Sequence, residues 1–131
     1  MTDEELLKET LEKKGFINHN HFEVVEVDKG KKVTMKVELT EESLNPYGFA
    51  HGGLIFGLGD TAMGVAARST GRNAVTLSSS ISYLKPSMGK VLKAEAEIIK
   101  SGKTTCYLRC NFYDEADALT ATMDANYYYI G

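Results

Sequence analysis

The sequence predicts an α+β fold in which an antiparallel sheet of about six strands wraps around one long central helix, with a short helix at the N-terminus. Three observations carry this. Six segments alternate apolar and polar residues with the period of two expected of half-buried strands. One segment, 51–70, is long enough for a helix and apolar nearly all round, the pattern of a helix buried on most sides. Turn sequences separate the alternating segments, which favours antiparallel neighbours. A long helix without a wet face needs the sheet to curl around it.

Thr2 to Lys14 reads as a short amphipathic helix. Thr2 and Glu5 suit a capping box, Leu6, Leu7 and Leu11 give one apolar stripe, and Gly15 sits where a helix stop is expected. Phe22 to Val27 and Lys32 to Leu39 form a hairpin about the turn Asp28-Lys29-Gly30-Lys31. In its second arm Val33, Met35, Val37 and Leu39 face one way and Lys32, Thr34, Lys36 and Glu38 the other. Thr40 to Tyr47 is a loop holding the first of two prolines, Pro46. The central helix follows, from His51 to Thr70, and Arg68-Ser69-Thr70-Gly71 ends it. Gly57, Gly59 and Gly64 each lower its intrinsic propensity by roughly 1 kcal/mol relative to alanine. Burial has to offset that cost, and small residues let a sheet come close. Four more strands are expected: Val75 to Leu84, Val91 to Lys100, Thr104 to Tyr113 and Leu119 to Ile130. Neither repeats nor linkers interrupt this order, so residues 1–131 read as a single domain, with 1–15 as the N-terminal helix and 51–70 as the central one.

Composition narrows the function. The chain is 43% hydrophobic and 25% charged with a net charge of −3, which gives no basic footprint for nucleic acid. The longest apolar run is too short for a bilayer and contains Asp60, so no membrane segment is expected. The charged N-terminus lacks the apolar core of an export signal, which points to the cytoplasm. Cys106 and Cys110 lie four apart on one strand, roughly 13 Å from each other at ~3.3 Å per residue. That is too far for a disulfide, so both read as reduced packing residues. No spacing suggests a metal site, and no cofactor is called for.

The chemistry gathers at the central helix. Between Leu54 and Ala67 the single ionisable side chain is Asp60. A lone carboxylate in an apolar segment is costly unless it is hydrogen-bonded, neutralised or used. It can be a tether for the helix or a reactive group. Gly52 and Gly53 stand at the helix N-terminus, where the first N–H groups lack intrahelical partners and the helix dipole adds positive character. A residue without Cβ lets a substrate carbonyl approach such an amide. The glycines can equally serve only to shape the turn. Asp60 lies eight residues beyond Gly52, about 12 Å along the axis at 1.5 Å per residue. One reacting carbon cannot be in reach of both. A shared catalytic role therefore requires two helices from two subunits, with Gly52 of one facing Asp60 of the other.

The stretch Asn45-Pro46-Tyr47-Gly48-Phe49-Ala50-His51-Gly52-Gly53, with Asp60 seven residues on, resembles the PaaI-like (phenylacetate-pathway type) acyl-CoA thioesterases of the hotdog fold. The strand Val75-Thr76-Leu77-Ser78-Ser79-Ser80-Ile81-Ser82-Tyr83 and its Leu84-Lys85-Pro86 ending resemble the same family, and the similarity covers about residues 20 to 131. The resemblance implies an acyl-CoA substrate and hydrolysis to a carboxylic acid and free coenzyme A. It implies a homo-oligomer, a dimer or a dimer of dimers, with composite sites. It assigns the oxyanion role to the Gly52 amide and the nucleophile or general-base role to Asp60. His51 and Asn45 are placed beside the thioester as orienting groups. Gly53 falls on the substrate side, and a serine or threonine near the carboxylate points to Thr76 or Ser78, which share a face of the strand. Arg72, Lys85, Lys90 and Lys103 lie in or beside turns where coenzyme A phosphates could be met, and Phe49, Leu54 and Tyr83 could line an acyl pocket. Two other functions fit the same fold: a hydratase or dehydratase working through a histidine, and a non-catalytic acyl-CoA-binding module.

Overall fold

The computed structural model describes residues 15–130. The helix expected over Thr2–Lys14 lies outside them. The glycine expected to stop it instead opens a short helix, α1 (Gly15–His19), whose Phe16 ring stands edge-on to Phe22 at 5.9 Å. Strands β1 (Phe22–Asp28) and β2 (Lys32–Glu38) form the expected hairpin, followed by a 3-10 turn at Glu41–Ser43. The central helix α2 runs Gly52–Arg68. Then come β3 (Ala74–Tyr83), β4 (Val91–Ser101), β5 (Thr105–Tyr113) and β6 (Leu119–Tyr129). All six strands lie within one or two residues of the ranges read from alternation.

Every pairing is antiparallel, in the order β1-β2-β4-β5-β6-β3. β3 therefore does not join its sequence neighbour β4. It pairs with β6 at the far edge, and residues 84–90 carry the chain back across the sheet to β4. Asp114 holds that crossing. Its carboxylate accepts the Met88 N–H at 3.0 Å, and the Ala116 and Ala118 N–H groups at 3.0 Å each. These three donors, Met88 foremost, hold its pKa below the ordinary carboxylate range.

The sheet's inner face closes on α2, which touches β2, β3, β4, β5 and β6. Leu58, Ala62, Met63 and Val65 are fully buried there, against Met35, Leu92, Leu108, Phe112 and Met123. Burying each large side chain contributes roughly 1.5–3 kcal/mol. The close approach has one pinch point. A Cβ on Gly59 would lie 2.5 Å from Phe112 Cζ and 2.6 Å from Met123 Sδ, so glycine is required. Gly57 and Gly64 meet their neighbours only at 3.2 and 3.5 Å. Cys106 and Cys110 are buried free thiols on this face, as expected. Burial, then Glu95, pushes the Cys110 thiol up well beyond its ordinary value.

Candidate active site

His51 is the N-cap of α2. Its backbone is extended (φ −63, ψ 135) and its Nδ1 accepts the Gly53 N–H at 2.9 Å. That bond consumes one of the helix's orphan donors. It also leaves the neutral imidazole proton on Nε2, so this nitrogen can only donate outward. The Gly53 amide is thereby taken up by the cap. The Gly52 amide has no acceptor among the described residues, and the helix dipole reinforces it. The Tyr83 hydroxyl donates to the Gly52 carbonyl at 2.6 Å and its ring covers the glycine, 3.3 Å from where a Cβ would stand. Partial burial moves the Tyr83 phenol upward in pKa.

Asn45 builds the approach to this helix end. Its Oδ1 accepts the N–H groups of Tyr47 and Phe49 at 2.9 and 3.1 Å, while Gly48, at φ 84, completes the turn. Only the Nδ2 of Asn45 remains for a ligand. Asn45, Phe49, Gly52, Ile55, Tyr83 and Lys85 are among the residues lining an opening of about 410 Å³ at the N-terminus of α2. Phe49 and Tyr83 thus line this opening, whereas Leu54 packs partly buried against the core. Lys85 lies at this opening. Arg72 does not: its guanidinium sits 3.9 Å over the Tyr129 ring and donates to the Lys103 carbonyl at 2.9 Å.

Asp60 belongs to a second opening, also of about 410 Å³, lined by Phe16, Ile17, Thr61, Gly64, Arg68, Thr76, Tyr127 and others. Its Oδ1 accepts the Thr76 hydroxyl at 2.6 Å and the Tyr127 hydroxyl at 2.6 Å. Its Oδ2 accepts no hydrogen bond among the described residues. Tyr127 is 2% exposed, and burial, followed by the bond to Asp60, pushes its pKa well above that of an ordinary phenol.

Thr76 and Ser78 do not share a face. A bulge between them pairs Thr76 with Tyr127 but Ser78 with Asn126. The extra residue, Leu77, breaks the alternation. Thr76 therefore points inward to Asp60, and Ser78 points outward, near Asn126 Nδ2 at 3.5 Å. Tyr127 and Arg68 also line the Asp60 opening, although the sequence marks Arg68 only as part of the helix end and does not single out Tyr127. Alternation does place Tyr127 on the inner face of β6, where a buried phenol requires a hydrogen-bond partner. What periodicity lacks is the cross-sheet register that supplies Asp60 as that partner.

The sequence signature of the thioesterase superfamily matches residues 47–121. The acyl-coenzyme A thioesterase PaaI of Escherichia coli strain K12 is 38% identical over 85 residues, covering 63% of this chain and 59% of that protein. The E. coli PaaI structure aligns with a TM-score of 0.88 over 94% of this chain and 89% of that chain, at 25% identity. The chain spans 56% and 59% of the length of the curated relatives it matches at 40% and 38% identity. The structure of smu.793 from Streptococcus mutans UA159, bound to acetyl CoA, aligns at TM-score 0.82 and 35% identity over 90% of this chain and 93% of that one. A hypothetical thioesterase of Streptococcus pneumoniae TIGR4, solved with coenzyme A, aligns at TM-score 0.78 and 32% identity over 84% and 86%. That protein has also been solved with an aspartate, and with a threonine sixteen positions later, each replaced by alanine.

Proposed function

The chain belongs to the thioesterase superfamily, and from that premise we propose that it hydrolyses an acyl-CoA thioester to a carboxylic acid and free coenzyme A. The observation that carries the reading is the pair of half-sites on α2. Its N-terminus offers the unpartnered Gly52 amide, and its middle offers a carboxylate with one oxygen anchored and one free. Thioester hydrolysis needs both: a donor for the carbonyl oxygen as it gains charge, and a nucleophile or base beside the carbonyl carbon. The sixteen-residue separation of Asp60 from Thr76 equals that of the aspartate and threonine replaced in the streptococcal thioesterase. His51, with Nδ1 committed to the helix cap, is suited to donating and orienting rather than to the proton shuttling a hydratase needs.

Gly52 and Asp60 open into different cavities, which supports a site completed by a second copy of the chain. β3 is the edge strand beside this region and leaves Val75 and Leu77 exposed at 48% and 61%. An unprotected apolar edge of this kind favours pairing with another chain. In the composite site the partner's carbonyl-polarising amide meets Asp60. If water attacks the carbonyl carbon, Asp60 Oδ2 takes its proton, the tetrahedral intermediate breaks its C–S bond, and that proton goes to the departing thiolate. If Oδ2 attacks directly, the thiolate leaves first, and water then hydrolyses the mixed anhydride, which frees the carboxylic acid, restores the Asp60 carboxylate and supplies the thiol proton. Single-turnover hydrolysis in 18O-water separates the two routes, since only direct attack leaves label in the Asp60 carboxylate.

The test is thiol release from a panel of aromatic, short and long acyl-CoAs, run beside Asp60→Asn. The asparagine keeps the shape and the anchored acceptor, so the fold should hold. Turnover should fall at least about a hundredfold, the scale of a lost base or nucleophile. Wild-type turnover in the variant would overturn the reading.

A further inference from the structure

We propose that Tyr127 is a positioning residue for Asp60, acting with Thr76 to fix Oδ1 so that Oδ2 alone is presented to the thioester. The proposal rests on the thioesterase reading above. Tyr127 lies on the inner face near the end of β6, paired across the sheet with Thr76 on the edge strand β3 and with Cys106 on β5. Packed between these neighbours and 2% exposed, its ring has little freedom to move. Its hydroxyl lies 2.5 Å from the Asp60 main-chain oxygen and 2.6 Å from Asp60 Oδ1. The single phenol proton is therefore shared, in a three-centre bond, between the backbone oxygen and the carboxylate of the same residue. The Thr76 hydroxyl approaches the same Oδ1 from the neighbouring strand at 2.6 Å.

Two donors on one oxygen stop the carboxylate from turning and leave the lone pairs of Oδ2 unshared. A carboxylate ordered before substrate arrives loses less entropy in the transition state. A buried phenol beside a carboxylate keeps its proton, so Tyr127 remains a donor. Of the described residues lining this opening, Asp60 and Arg68 alone have acidic or basic side chains. Arg68 is exposed at the last turn of α2, and Tyr127 is the group that reaches both polar ends of Asp60.

Thiol release by Tyr127→Phe tests this, with thermal unfolding followed in parallel and Asp60→Asn as the inactive control. The expected kcat is about ten- to a hundredfold lower, the scale of a hydrogen bond to a charged group, with KM nearly unchanged. The acid limb of the kcat profile should move toward neutral, because a carboxylate that loses a donor is a stronger base. A monofluorinated tyrosine placed at position 127 keeps the volume and donates more strongly. It should restore kcat and move the limb the opposite way, and it carries the test if the phenylalanine variant does not fold. A wild-type kcat and an unmoved acid limb in Tyr127→Phe, with Asp60→Asn inactive, would overturn the inference and leave the thioesterase reading standing. If no acyl-CoA releases thiol, or Asp60→Asn stays active, the enzymatic reading itself fails. The 13C titration of the Asp60 carboxyl in wild type and Tyr127→Phe then decides the hydrogen-bond claim directly: coincident curves reject it, separated curves support it.

Discussion

At the scale of single residues, the candidate site turns on how each polar group of α2 finds its partners. Asp60 stands out because a carboxylate in an apolar run demands a partner or a use, and it has two partners on one oxygen. His51 before Gly52-Gly53 reads directly as a helix entry, and its cap bond to Gly53 follows from sequence adjacency. Asp114 shows the opposite case. In sequence it is one acid in a charged turn, yet it is 3% exposed and accepts three backbone N–H groups, one of them from the 84–90 crossing. Its pKa is lowered in the fold, so it contributes stability above the ordinary carboxylate range near pH 4, and loses it as pH falls through its lowered folded value. Asp114→Asn should therefore melt earlier than wild type at pH 7, and the gap should narrow as the pH drops below about 4. Melting curves of both proteins across pH check this; a gap independent of pH would contradict it.

At the scale of elements, the glycines of α2 divide by what faces them. All three cost helix propensity equally in sequence. In the fold, Gly59 is the contact that sets the distance between helix and sheet, since Phe112 and Met123 occupy the space of its Cβ. Gly59→Ala should destabilise by about 1–3 kcal/mol despite alanine's better propensity, because overpacking outweighs it. Gly57 faces the far end of the Phe16 ring at 3.2 Å. Phe16 is 60% exposed and free to yield, so Gly57→Ala should be neutral or stabilising by up to about 1 kcal/mol. Urea unfolding of the pair measures both signs. The bulge at Leu77 is the other lesson of this scale. Strict alternation puts Thr76 and Ser78 together, and one extra residue sends them to opposite faces.

At the scale of the whole molecule, the site is proposed to be divided between copies, and that can be tested by mixing two inactive chains. Asp60→Ala removes the carboxylate. Gly52→Pro removes the amide at the first helical position, where proline is tolerated and where the extended His51 suits a following proline. Each homo-oligomer should be inactive. Refolded together, half the dimers are mixed and each contains one intact site, so about a quarter of wild-type turnover should return. Equal inactivity before and after mixing would place both groups' work within one chain. Among the described residues, no helix is long and apolar enough to cross a membrane.

The sequence by itself determined the elements, the buried helix and the residues at its N-cap, because period, capping and the cost of a lone carboxylate act over a few residues. Tertiary structure alone decided that β3 leaves its neighbour for β6, that Thr76 rather than Ser78 reaches Asp60, and that Tyr127 holds the same oxygen. Those outcomes depend on register between strands up to 67 residues from Asp60. Such register is set by packing on the helix and by one bulge, and it leaves no trace in local periodicity.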